Sequence, residues 1–100
     1  MIARIWHGAT PTDRADAYLE LMRTVALPDY KAVPGNRGAW RLHRTEGDQV
    51  HVLMLTLWDD MQAVCAFAGD DPGRAKYYDF DPDFLIEMEP GVEHYEVFEG

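Results

Sequence analysis

QVHVLMLTLWDDMQAVCAFAG, residues 49–69, decides the fold. From Val50 to Trp58 nearly every residue is apolar, β-branched or aromatic. Val52, Leu53, Met54, Leu55 and Leu57 break strict alternation, the pattern of a strand covered on both faces. Asp59 is expected to cap the helix that follows, with Gln62 as its capping-box partner and Trp58 packing back as the staple. Gly69 is expected to close that helix. One face of such a sheet packs on the chain's own helices. In a chain of 100 residues the other face has no evident cover, and a second copy of the chain is the simplest candidate.

Working outward, Ile2 to His7 reads as a first strand ended by Gly8 and Ala9. Thr10 can cap a helix with Pro11 at its first position. Ala15, Tyr18, Leu19, Met22, Val25 and Ala26 fall on one helical face, and Pro28 is expected to stop the helix. Residues 29–38, DYKAVPGNRG, form a loop. Ala39 to Arg44 is a second strand, joined to the third by a tight turn over Thr45, Glu46, Gly47 and Asp48. Arg74 to Tyr78 suggests a helical turn, Leu85 to Met88 reads as either short helix or strand, and Gly91 to Phe98 alternates as a last strand. The order β-α-β-β-α-β is the split βαβ of an α+β, ferredoxin-like domain with an antiparallel sheet, filling residues 1–100 as a single unit.

Composition narrows the function. Eighteen acidic against nine basic residues give a net charge of −9, which disfavours nucleic acid and anionic membrane surfaces as partners. No segment is long and apolar enough to span a membrane, and the first residues lack the pattern of a secretion signal. Cys65, the single cysteine, fits a reducing, cytoplasmic setting. The chain contains no serine, so a serine nucleophile is excluded. A hydrophobic content of 47% favours association.

The opening IARIWHG, the loop PGNRG, the join LTLWDDMQAVCAFAGDD, the tail YYDFD and the closing VEHYEVF together resemble the antibiotic biosynthesis monooxygenase family of the dimeric α/β-barrel superfamily. The resemblance covers essentially the whole chain. It implies a homodimer in which two sheets close into a barrel with the helices outside, and a pocket in each subunit between sheet and helices. It also implies oxygenation of reduced phenols without metal or flavin, or haem degradation, with cyclases and isomerases among related barrels. The haem-degrading branch places an Asn, a Trp and a His where this chain has His7, Phe67 and Tyr77, a departure at all three positions. The cofactor-free oxygenases place a Trp, a Tyr and an Asn in the pocket, for which Trp58, Tyr77 or Tyr78, and Asn36 are the analogues by residue type and region.

Among the residues themselves, His94 in the last strand has the ordinary pKa of a general base for a phenol, against the alternative of a locally bonded strand histidine. His7 ends the first strand on the parity of Ala3 and Ile5, at the end that faces the pocket in the resembled fold. His43 and His51 belong to the hairpin, on the solvent or dimer side. No histidine spacing indicates a metal site, and no cofactor motif is present. Tyr77 and Tyr78 can donate to an anionic oxygen, and Trp58 and Phe67 are pocket walls. Arg41 and Arg44 read as ion-pair partners of Glu46, Glu93 or Glu96. Asp79, Asp81 and Asp83 read as solvated loop charges. The leading expectation is a cofactor-independent monooxygenase acting on a small aromatic or polyketide-like molecule. The alternatives are a non-oxidative cyclase or isomerase, and a non-catalytic dimer that binds haem or another small molecule.

Overall fold

The computed structural model describes residues 1–99. Four antiparallel strands form one sheet in the order β2-β3-β1-β4, with β1 at Ile2–Pro11, β2 at Asn36–Glu46, β3 at Gln49–Trp58 and β4 at Glu93–Glu96. The helices lie on one face. The first connection runs through a 3-10 turn (Thr12–Arg14), α1 (Ala15–Leu21), a π turn (Met22–Ala26) and α2 (Leu27–Lys31); α3 is Met61–Ala68. This is the expected α+β, ferredoxin-like arrangement. None of these helices is long and apolar enough to cross a membrane.

The first strand is longer than expected. Gly8 and Ala9 do not end it, because β3 offers a ten-residue partner that pairs from Ile2↔Trp58 to Pro11↔Gln49. Gly8 is needed for space: a Cβ there would stand 2.5 Å from the Trp6 ring and 2.8 Å from Leu85. Thr10 is therefore a strand residue and not a helix cap, and its buried hydroxyl donates to the Phe84 carbonyl at 3.0 Å.

Pro28 does not stop the first helix. The π turn before it carries an i→i−5 bond from the Leu27 N–H to the Met22 carbonyl, which widens the backbone just where the proline ring enters. The helix then runs on to Lys31. The cap of α3 is also displaced by one residue. Asp60, not Asp59, accepts from the Ala63 N–H at 2.9 Å, and Asp59 instead pairs with the Arg37 guanidinium. With Asp60 as cap, Ala63 occupies the position expected of the capping-box glutamine. Gly69 closes α3 with φ +88°. The expected turn at Arg74 to Tyr78 is not helical, the last strand is only four residues long, and residues 69–92 contain a single 3-10 turn, Asp81–Asp83.

Parity divides the sheet. Arg4, Trp6 and Thr10 of β1, with Val50, Val52, Met54, Thr56 and Trp58 of β3, are buried under the helices. They meet Tyr18, Met22, Ala26 and Tyr30 from the first helical connection and Val64 and Phe67 from α3. The opposite face carries Ile5, Leu53, Leu55 and Leu57 together with Trp40, Leu42 and Tyr95, the last three 48%, 43% and 54% exposed. Among the described residues no helix covers it.

Candidate functional site

The interior between sheet and helices holds an aromatic cage around two ionisable groups. Phe67 from α3 lies at its centre, with ring centroids 4.6 Å from Tyr30 and 5.7 Å from Trp58. Its position follows from the α3 cap, which sets the register that turns Val64 and Phe67 inward. The Trp58 indole N–H donates to the Thr56 hydroxyl at 2.8 Å, so its polar edge is satisfied inside the core.

Asp81 is 1% exposed, which corrects its reading as a solvated loop charge. It accepts from the Tyr18 hydroxyl at 2.7 Å and from the Tyr78 backbone N–H at 2.6 Å. Burial raises its pKa and outweighs these stabilising bonds. Tyr18 and Tyr78 are both pushed well above the ordinary phenol value, first by burial and then by their hydrogen bonds to Asp81 and Asp29 respectively. The Tyr78 hydroxyl donates to Asp29 at 2.6 Å, and the Lys76 ammonium stands 3.8 Å from the same carboxylate. A void of about 10 Å³ remains among these groups, bounded by Trp6, Tyr18, Tyr30, Met54, Lys76 and Tyr78 among others.

Arg4 is the second buried ionisable group, 1% exposed. Its guanidinium carbon stands 5.4 Å from the Phe67 ring centre. Burial lowers its pKa, and the neighbouring Tyr30 hydroxyl partly offsets this; Tyr30 itself is pushed up to about 12 by burial. The register places His94 opposite Arg4 on the same side of the sheet. Burial, and next the charge on Arg4, hold the His94 pKa below its ordinary value.

Of the residues singled out from sequence, His94, Trp58, Phe67 and Tyr78 come together on the helix side. Tyr77 sits at the margin, edge-on to Trp6 at 6.1 Å, with its hydroxyl donating to the Glu89 carbonyl. His7 does not join them. Its parity with Ala3 and Ile5 turns it to the uncovered face, where Nδ1 meets the Glu89 carboxylate and Nε2 lies 3.0 Å from His51 Nδ1. A hollow of about 310 Å³ opens there, lined by His7, Leu42, His43, Arg44, His51 and Leu53. It is the larger cavity, but it lies on the opposite side of the sheet from the aromatic cage. Asn36 shapes the start of β2 by bonding the Gly38 backbone, accepting at 3.0 Å and donating at 3.3 Å. Arg44 pairs with Glu46 at 2.7 Å as expected, whereas Arg41 donates to the Leu19 carbonyl at 2.9 Å. Among the described residues no cluster of three or more histidine, cysteine or acidic side chains has the geometry to hold a metal ion. Arg4 and Asp81 were missed from sequence. The signal for Arg4 was its parity: a charge alternating with Ile2 and Trp6 on an inward face.

No family model and no curated protein matches the chain. Solved structures do. A protein named as an antibiotic biosynthesis monooxygenase, from Nitrosomonas europaea, superposes with a TM-score of 0.73 at 18% identity, over 99% of this chain and 100% of that one. A point mutant of MhuD, with two manganese protoporphyrin IX molecules bound per active site, gives 0.62 at 18% identity over 100% and 97%. Rv0793 from Mycobacterium tuberculosis gives 0.62 at 14% over 99% and 96%. At this level of identity the likeness is one of fold, and the fold of this chain is that of the antibiotic biosynthesis monooxygenase-type proteins.

Proposed function

We propose that the protein is a homodimeric α/β-barrel enzyme that oxidises a small aromatic or polyketide-like molecule with dioxygen, in the interior between sheet and helices. The observation that carries this reading is an aromatic helix-side interior, with Tyr30 and Trp58 packed on Phe67, that also holds buried Asp81 bonded to Tyr18 and, on the same side of the sheet as buried Arg4, half-buried His94. An interior built only for stability would leave ionisable groups out, because burying them costs several kcal/mol in rough terms. The walls on one side come from residues 69–92, a segment with little regular backbone bonding and so the part of the fold that opens at least cost.

His94, held neutral, takes a proton from the activated C–H or O–H of the substrate. Asp81, with its raised pKa and its Tyr18 partner, is the second proton-handling group. For an anthrone-type substrate the resulting enolate carbon forms a C–O bond with dioxygen. The hydroperoxide then loses water and leaves a ketone, so one oxygen atom enters the product and the other leaves as water. The aromatic cage keeps bulk water from the anion. Tyr77 and Tyr78 would donate to a substrate oxygen only by giving up their present bonds to the Glu89 carbonyl and to Asp29. The apolar face bearing Trp40, Leu42, Leu55 and Tyr95 is the surface on which the second copy closes.

The test is oxygen uptake by the purified protein with anthrones and hydroquinones, in the presence of chelator, beside the His94→Gln and Asp81→Asn variants. Uptake above the buffer rate, reduced in His94→Gln, is expected. Binding of the same compounds without uptake would replace oxidation by cyclase, isomerase or carrier activity at the same interior.

A further inference from the structure

The interior contains a set of polar atoms whose partners the protein does not supply. Nε and Nη2 of Arg4, Nε1 of Trp6 and Nε2 of His94 are all buried without a hydrogen-bond partner. Arg4, Trp6 and His94 share one side of adjacent strands β1 and β4, because Arg4 pairs with His94 and Trp6 follows Arg4 by two residues. Among the described residues no carboxylate forms an ion pair with Arg4, and the polar group that acts on the guanidinium is the neutral Tyr30 hydroxyl. The carboxylate nearest in function, Asp81, is committed to Tyr18 and the Tyr78 backbone. A second cation, Lys76, stands 4.1 Å from the centre of the Phe67 ring that Arg4 also approaches. Native interiors rarely leave a buried charge unpaired.

We infer that Arg4 is the anchor for the ionised oxygen of an aromatic acid, a carboxylate or phenolate that enters beside the packed rings of Tyr30, Trp58 and Phe67 when residues 69–92 move aside, because the closed interior leaves only about 10 Å³. A guanidinium fork offers two parallel donors to such a group, and here Nε and Nη2, the pair that forms one edge of the fork, are the two unused nitrogens. The His94 and Trp6 nitrogens lie along the same strand pair to meet the remaining lone pairs or a bridging water. Lys76, on the irregular segment, already stands over the Phe67 ring and adds a second positive charge to the interior. This assignment rests on the reading of the interior as a ligand site, and it does not require oxidation to occur there.

The probes are 1-naphthoate and its neutral counterpart 1-naphthamide, titrated at pH 7 against tryptophan fluorescence. Charge-assisted bonding to Arg4 makes naphthoate the tighter ligand by on the order of tenfold or more. Arg4→Met is expected to erase that preference and leave the two probes bound alike. Arg4→Lys, which keeps the charge but loses the fork, retains part of it. Equal binding of the two probes by the native protein, a preference that survives Arg4→Met, or binding of neither at millimolar concentration would each overturn the inference. Naphthoate preference without oxygen uptake on any substrate would remove the oxidation reading alone. Uptake that is unchanged in Arg4→Met, with no naphthoate preference, would remove the anion anchor alone.

Discussion

Replacing Arg4 by methionine is expected to stabilise the ligand-free protein. Arg4 is 1% exposed and pairs with no carboxylate among the described residues, so folding strips a guanidinium of its water and returns little. The effective penalty for such a transfer is several kcal/mol in rough terms. What offsets it is a neutral Tyr30 hydroxyl and a ring at 5.4 Å, worth together about 2 to 3 kcal/mol when desolvated. Methionine fills similar volume, adapts to an irregular gap and carries no charge. The net gain is about 1–4 kcal/mol, the range seen when buried charges give way to well-packed apolar groups. For a domain of this size each kcal/mol moves the midpoint by roughly 4–8 °C, so the melting temperature rises by roughly 5 °C or more. Differential scanning calorimetry at pH 7 and one fixed protein concentration measures it, the concentration held constant because the proposed dimerisation would contribute to apparent stability. Arg4→Ala is the control: it removes the same charge but leaves a cavity, and falls below Arg4→Met. A melting temperature for Arg4→Met lower than that of the native protein by several degrees would refute the reasoning. It would mean that the fold itself satisfies the guanidinium, and the case for an external anion would fall with it.

The native protein should run as a dimer in light scattering at micromolar concentration, and Leu55→Lys, which sets a charge in the middle of the uncovered face, as a monomer; a native monomer would refute the barrel pairing. Stability should decline as pH falls below about 6.5, because burial and Arg4 hold the folded His94 pKa below its unfolded value and the unfolded chain then binds more protons. His94→Gln flattens that slope in melting curves between pH 5 and 7, and an unchanged slope would show that other groups set it. Asp60→Ala should cost about 1 kcal/mol in urea unfolding through loss of the α3 cap, and Asp59→Ala, which breaks an exposed pair with Arg37, about half of that or less. The reverse order would return the cap to Asp59.

Why some of this was legible in residues 1–99 and some was not follows from the range of each interaction. The β3-to-α3 join, the hairpin and Gly69 are local: a largely apolar run from Val50 to Trp58, a capping aspartate and a glycine act within a few positions of one another. Even there the choice between adjacent aspartates was settled by a distant group, since Arg37 claims Asp59 and leaves Asp60 to cap. The length of β1 is a property of its partner, because only the ten-residue ladder with β3 carries the strand past Gly8. The continuation through Pro28 depends on a π turn that no periodicity announces. The site is less local still. Tyr18 and Asp81 are 63 positions apart, and Asp81 reaches the core only through the path of an aperiodic segment. The histidines show how much parity alone could have decided. His7 falls in step with Ala3 and Ile5, and His94 pairs with Arg4, so the two were bound to lie on opposite faces once the helices chose the face of Trp6. That choice follows from size and charge together. The face with Trp6, Trp58 and Met54 supplies the volume that two layers of helix must enclose, and it encloses Arg4 with them. The face with Ile5, Leu53, Leu55 and Leu57 is mainly apolar, carries exposed Trp40, Leu42 and Tyr95, and encloses no buried charge, the composition on which the proposed pairing of two copies rests.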